Sequence, residues 1–116
     1  MGRAIRLTHQ LVTIVVKVKE YIDEHPLEKK TTNELAQDAG INRNLLQQAF
    51  KELYKTHIKE YYTAQKMESA MLMLKAGMPI RQVARQCRYR SHSAFTTAFR
   101  NKYGMAPLSW LKQTGL

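Results

Sequence analysis

Apolar residues recur along this chain at helical spacing, and their clearest run lies in its last third. Ile80, Val83, Ala84 and Cys87 fall at i, i+3, i+4 and i+7, one stripe of a helix about two turns long, with Arg81, Arg85 and Gln86 on its other faces. Arg88, Tyr89 and Arg90 interrupt the pattern, and Ser91 offers a side-chain oxygen to the free N–H groups of a second helix. That helix turns Phe95, Ala98, Phe99 and Tyr103 inward and stops at Gly104, with Pro107 closing any continuation. Its other face carries His92, Ser93, Thr96, Thr97 and Arg100. Two short helices joined by a three-residue turn, the second with a polar and basic outer face, have the geometry of a helix-turn-helix, in which the second helix meets base edges in the major groove.

The earlier half repeats the arrangement. From Thr8, a suitable N-cap, Leu11, Val15, Val18 and Ile22 form one stripe, while Val12, Ile14 and Val16 make the segment apolar over more than one face. Its β-branched run would suit a strand, but the 3.6 period and the flanking charges favour a helix, ended by His25 and Pro26. After a polar linker a Thr can cap a short helix with Leu35, Ala36 and Ala39 inward, and Gly40 supplies a positive φ. Ile41 fills the turn and Asn42 caps a helix over residues 43–54, with Leu46, Ala49, Phe50 and Leu53 on one side. A long helix follows over residues 58–76, delimited by Gly77 and Pro79. At about 1.5 Å per residue it spans roughly 28 Å, a length that can hold two reading helices near the 34 Å repeat of successive major grooves. The expected fold is all-α, with about seven helices: a first subdomain over 1–57, a linker helix over 58–77 and a second subdomain over 78–116. Residues 1–7 carry Arg3 and Arg6 without a strong pattern, and are expected to form a mobile basic start.

Composition sharpens the choice of partner. The chain has 116 residues, a net charge of +10 and an isoelectric point near 10.0. Residues 69–116 contain eight Lys or Arg and no Asp or Glu. Such a bias suits a polyanion, which leaves DNA, RNA or an anionic membrane surface; the membrane is the weakest candidate, because no run of about 18 apolar residues exists. No signal-peptide pattern begins the chain, so a cytoplasmic location is expected. One cysteine excludes an intrachain disulfide, and one cysteine with four scattered histidines argues against a dedicated metal site. Cys87, on an apolar stripe, reads as an inert core thiol. Met67, Met71, Met73, Met78, Tyr61, Tyr62 and Trp110 read as packing residues.

These elements and residues together resemble the DNA-binding domain of AraC/XylS-type bacterial transcription regulators. The second half carries the signature as Ile80, Val83-Ala84, Ser91, Ser93, Phe95, Phe99-Arg100, Tyr103-Gly104, Ala106-Pro107 and Trp110. In the first half it is Tyr21-Ile22, Leu35-Ala36, Gly40, Leu46, Phe50-Lys51, Tyr61, Lys66 and Ala70. The chain departs from the family at Arg88-Tyr89, where Gly-Phe is usual, and at Lys55-Thr56, where a Gly is usual. Arg88 must therefore avoid positive φ or sit there under strain. The family often carries a separate ligand-sensing or dimerisation domain, so a stand-alone regulator and the C-terminal piece of a longer one both remain open.

Carried over by position, the resemblance implies base contacts from Arg43, Asn44, Gln47 and Gln48 in the first reading helix, and from His92, Ser93 and Thr97 in the second. Gln can bond an adenine edge bidentately and Arg a guanine, each good pair discriminating by about 1–3 kcal/mol, whereas His92, Ser93 and Thr97 are short or single-point readers. Lys51, Arg81, Arg85, Arg90 and Arg100 read as phosphate contacts, which set position and salt dependence. The alternative for each is a solvated helix face. The expected function is sequence-specific binding of double-stranded DNA, by a monomer unless the chain belongs to a longer dimeric regulator. Contact with RNA polymerase is implied by the resemblance alone. The alternatives are a protein-interaction module or a non-specific nucleic-acid-binding module on the same fold. No carboxylate pair, nucleophile-base pair or phosphate loop is present, and DNA-repair methyltransferases with a related helical module need more than one cysteine, so no enzyme activity and no cofactor are expected.

Overall fold

The structure, a computed structural model, describes residues 5–115. Among them are seven helices and no strand: α1 (His9–Glu24), α2 (Thr32–Ala39), α3 (Arg43–Tyr54), α4 (Ile58–Lys75), α5 (Ile80–Gln86), α6 (His92–Tyr103) and α7 (Pro107–Thr114). They form two compact units. One holds the chain up to His25 together with Lys29–Tyr62; the other holds Pro26–Glu28 together with everything from Thr63 on, so α4 begins in the first and continues in the second.

In the first unit the starts of α1, α2 and α3 are each fixed by a side chain. Thr8 Oγ1 accepts from the Leu11 N–H at 3.1 Å and Asn42 Oδ1 from the Leu45 N–H at 2.8 Å. Thr31 and Glu34 form a reciprocal capping box, both bonds 3.1 Å. Such caps contribute about 1 kcal/mol each. Burial contributes more, about 1.5–3 kcal/mol for each fully enclosed large side chain. Leu11, Val15, Val18 and Ile22 of α1 meet Leu35 and Ala36 of α2, Leu46, Ala49 and Phe50 of α3, and Ile58 and Tyr62 of α4. The 3.6 period of the α1 stripe thus overrides its β-branched content, because four side chains on one face all reach this core. Ile5 and Leu7 also pack on it, which corrects the expectation of a mobile start for those two residues. Residues 1–4, the rest of that expectation, lie outside the described residues.

The second unit has its own core. Met67, Ala70 and Leu74 of α4 surround Val83 and Ala84 of α5, Cys87, and Phe95 and Phe99 of α6, with Leu27, Trp110 and Leu111 packed against them. Phe99 is its hub, with ring centroids 4.7 Å from Tyr103 and 6.0 Å from both Phe95 and Trp110. Trp110 and Leu111 come from α7, which the apolar pattern did not locate. Pro107 does close off α6, but it also occupies the first turn of α7, where its missing N–H costs nothing.

Both units turn their helix-turn-helix corner with the same bonds. After α2, Gly40 at φ +75° donates to Gln37 O and Ile41 donates to Ala36 O, each 3.1 Å. After α5, Arg88 at φ +62° donates to Arg85 O at 3.0 Å and Tyr89 to Ala84 O at 3.1 Å. This is a Schellman closure, made once with glycine and once with arginine. Arg88 does not avoid the left-handed region.

Candidate nucleic-acid interface

The cores decide which faces of α3 and α6 remain outside. In α3, Leu46, Ala49 and Phe50 are buried, so Asn44, Gln48 and Lys51, at i, i+4 and i+7, form the row opposite them, and all three are exposed. Arg43 is exposed in the first turn, while Gln47, on the flank beside Leu46 and Phe50, is half-buried. In α6, burial of Phe95 and Phe99 leaves Ser93, Thr97 and Arg100 in the equivalent exposed row. His92 is exposed beside them.

The two helices correspond position by position at a constant sequence offset. Asn42 and Ser91 cap them: Ser91 Oγ accepts from the Ala94 N–H at 3.1 Å. Leu46 and Phe50 in one match Phe95 and Phe99 in the other, and the outer row Asn44, Gln48, Lys51 matches Ser93, Thr97, Arg100. The same offset pairs Gln47 with Thr96, which is not among the contacts expected from the sequence. Thr96 is half-buried, as Gln47 is, and its Oγ1 lies 3.4 Å from Nδ1 of His92. The helix start of α3 borders an open recess of about 490 Å3 lined by Asn42, Arg43, Asn44, Leu45 and Gln48.

Charge is distributed unevenly between the units. The first contains ten Lys or Arg against seven Asp or Glu, the second nine against two. Lys51, Arg81, Arg85, Arg90 and Arg100 are all exposed, and none stands in an ion pair among the described residues. Cations that do pair serve the scaffold. Lys30 Nζ lies 2.6 Å from Asp38 and 4.6 Å from the Tyr21 ring centroid. Lys19 lies 2.8 Å from Asp23, whose carboxylate also accepts from the Tyr61 hydroxyl, and its ammonium sits over the rings of Tyr54 and Tyr61. The Lys19 pKa is raised, chiefly by its hydrogen bond to Asp23. Arg88 also serves the scaffold, donating through Nε to Leu27 O. Cys87 is fully buried, and burial pushes its thiol up to about 11, so it stays protonated at neutral pH.

No group of three or more metal-binding side chains occurs among the described residues, and no helix among them is long and apolar enough to cross a membrane. Exposed amides, hydroxyls and unpaired cations on two capped helices can bond base edges and phosphates.

The family described as a helix-turn-helix domain matches residues 35–113. The transcriptional regulator ArgR of Pseudomonas aeruginosa is 31% identical over 101 residues, covering 86% of this chain and 30% of that protein. The chain spans about a third of the length of the curated relatives it matches. Among solved structures, the C-terminal domain of AraT, a response regulator from Geobacillus stearothermophilus, superposes with a TM-score of 0.82 at 23% identity, covering 94% of this chain and 88% of that one. The DNA-binding domain of the transcriptional factor AdpA, solved in complex with a target DNA, superposes with a TM-score of 0.76 at 24% identity, covering 83% and 87% respectively. At those identities the likeness speaks for the fold, two helix-turn-helix units joined through one long helix. The matched family and the curated relatives go further: this chain belongs to the AraC/XylS-type helix-turn-helix family.

Proposed function

We propose that the chain is a sequence-specific double-stranded DNA-binding regulator of transcription. It inserts α3 and α6 into consecutive major-groove segments. One observation carries the reading: two helices with matching side-chain caps present matching exposed rows, Asn44-Gln48-Lys51 and Ser93-Thr97-Arg100. Arg43, Asn44, Gln47, Gln48, His92, Ser93 and Thr97 make the base contacts, and Lys51, Arg81, Arg85, Arg90 and Arg100 hold phosphates. The functional division runs over 1–57, 58–77 and 78–116. The DNA complex of AdpA, a protein of the same fold, supports duplex DNA as the partner. Unless it belongs to a longer dimeric regulator, one chain binds one site as a monomer in the bacterial cytoplasm, and RNA polymerase is the protein it meets there.

Unlike halves require an asymmetric site of about 15–20 base pairs, given about 10 per helical turn. Selection of the purified chain against a random duplex library tests this, with the winner and a scrambled duplex then titrated across salt. One bipartite motif, its blocks a helical turn apart, is the expected result. A short palindrome bound by two chains would overturn the two-reader arrangement, and a steep salt slope with no motif would overturn sequence specificity.

A further inference from the structure

Four left-handed residues follow α2, α3, α5 and α6: Gly40, Lys55, Arg88 and Gly104. Glycine takes this conformation without a side-chain penalty, whereas a residue with a Cβ meets its own carbonyl there. Arg88 has an internal account of its strain, because its guanidinium reaches the Leu27 carbonyl at 2.8 Å. Lys55 has none. It sits at φ +61° as the C-cap of α3, exposed, with no side-chain hydrogen bond or ion pair among the described residues. A cation near a helix C-terminus gains from the helix dipole, but Lys51 already stands in that last turn, and the gain at an exposed end is smaller than the cost of a Cβ in the left-handed region.

The position suggests where the compensation lies. Lys55 directly follows the last helical residue of α3, at the end toward which the row Asn44, Gln48, Lys51 runs. Seven residues separate it from Gln48, about 10 Å along the axis, and the major groove is about 12 Å wide. With Asn44 and Gln48 on base edges, the end of α3 comes to the phosphates at the groove rim. We propose that Lys55 is a DNA-phosphate ligand, retained in a conformation that suits glycine because its ammonium holds the backbone beside the groove. This rests on the reading that α3 enters duplex DNA.

The test sets stability against affinity. Lys55→Gly is expected to raise the thermal midpoint by a few degrees. It is also expected to weaken binding about five- to tenfold at 0.1 M salt, equally for the selected and the scrambled duplex, and to flatten the salt slope by about 0.9. Lys55→Arg should restore affinity to within about twofold while leaving the midpoint near that of the wild type. A Lys55→Gly variant with a raised midpoint and unaltered affinity and slope overturns the proposal and leaves the DNA-binding reading standing. Weakening confined to the selected duplex also overturns it, by making Lys55 a base contact. A wild-type chain that binds neither duplex removes the reading on which the proposal rests.

Discussion

Arg88 spans sixty-one residues of sequence to donate its Nε–H to the carbonyl of Leu27 at 2.8 Å, from a backbone at φ +62°. Leu27, in the Pro26–Glu28 stretch between α1 and α2, is thereby tied to the corner that positions α6, both within the second unit. Two effects oppose each other at this residue. The left-handed conformation costs about 1–2 kcal/mol for a residue with a Cβ, and the exposed hydrogen bond contributes about 1 kcal/mol. Arg88→Ala keeps the strain and loses the bond, so we expect a loss of about 1 kcal/mol. Arg88→Gly loses both, and the greater freedom of glycine in the unfolded chain offsets part of the relief, so we expect it within about 0.5 kcal/mol of the wild type. Urea denaturation of the three proteins checks the order, and an Ala variant as stable as the Gly variant, or more so, would show that the strain at residue 88 is no larger than the cost of the freedom glycine adds to the unfolded chain.

The Lys19–Asp23–Tyr61 cluster gives the first unit a pH dependence. Burial pushes the Asp23 carboxyl up, but hydrogen bonds from Lys19 and Tyr61 outweigh it and hold the group below its ordinary value of 3.8. A carboxylate with a depressed folded pKa stabilises fully above its unfolded value, and that contribution is lost as pH falls through the folded one. The Asp23 side chain is 35% exposed, so screening limits the effect to about 0.5–1 kcal/mol. Asp23→Asn should cost that much at pH 7, and the difference from the wild type should close in acid, once pH has fallen through the depressed Asp23 value. Denaturation midpoints at the two pH values decide it; a gap that persists in acid would assign the cost to packing rather than charge.

What the sequence made legible follows from how locally each feature is determined. Thr8, Thr31, Asn42 and Ser91 each cap the helix expected after them, because a cap depends on a few neighbouring residues and a strong side-chain acceptor. The α7 helix escaped because its eight residues carry too few apolar positions to show a period, and Pro107 signals an end as readily as a beginning. Ile5 and Leu7 escaped for the same reason, since two apolar residues show no period. In the proposed interface the choice of helices was readable, but the rotation of each is set by its core. Only the structure shows Gln47 half-buried on the flank while Gln48 faces outward, and only the structure shows that Arg88 and Lys55 occupy the left-handed region.

The Tyr103 hydroxyl is buried without a hydrogen-bond partner at the end of α6, although its ring packs 4.7 Å from Phe99. Burial also raises its pKa, with the Glu68 carboxylate adding to the shift, so the group remains a neutral phenol. An unsatisfied buried hydroxyl costs about 1–3 kcal/mol relative to its hydrated state. Tyr103→Phe keeps the ring and removes that group, and should leave stability equal or raise it by up to about 1 kcal/mol. A loss of 1 kcal/mol or more on denaturation would mean that the hydroxyl has a partner in solution, a water molecule being the simplest.

The proposed sorting of contacts gives opposite signatures for two exposed residues on the two reading helices. Gln48 lies in the outer row of α3 with two donors and an acceptor on its amide, the equipment for a bidentate bond to one base edge. Gln48→Ala should relax preference at one or two base pairs by about 1–3 kcal/mol, with little change in the salt slope. Arg100 occupies the last turn of α6, beyond the helix start proposed to meet the bases, and is in no ion pair among the described residues. Arg100→Ala should weaken all sequences alike and reduce the slope by about 0.9. Binding of each variant to the selected duplex, its single-base substitutions and a scrambled duplex across salt separates the two behaviours. If both variants lose affinity uniformly, α3 rests on the backbone as α6 does at Arg100, and the choice of Gln48 as a reader is wrong.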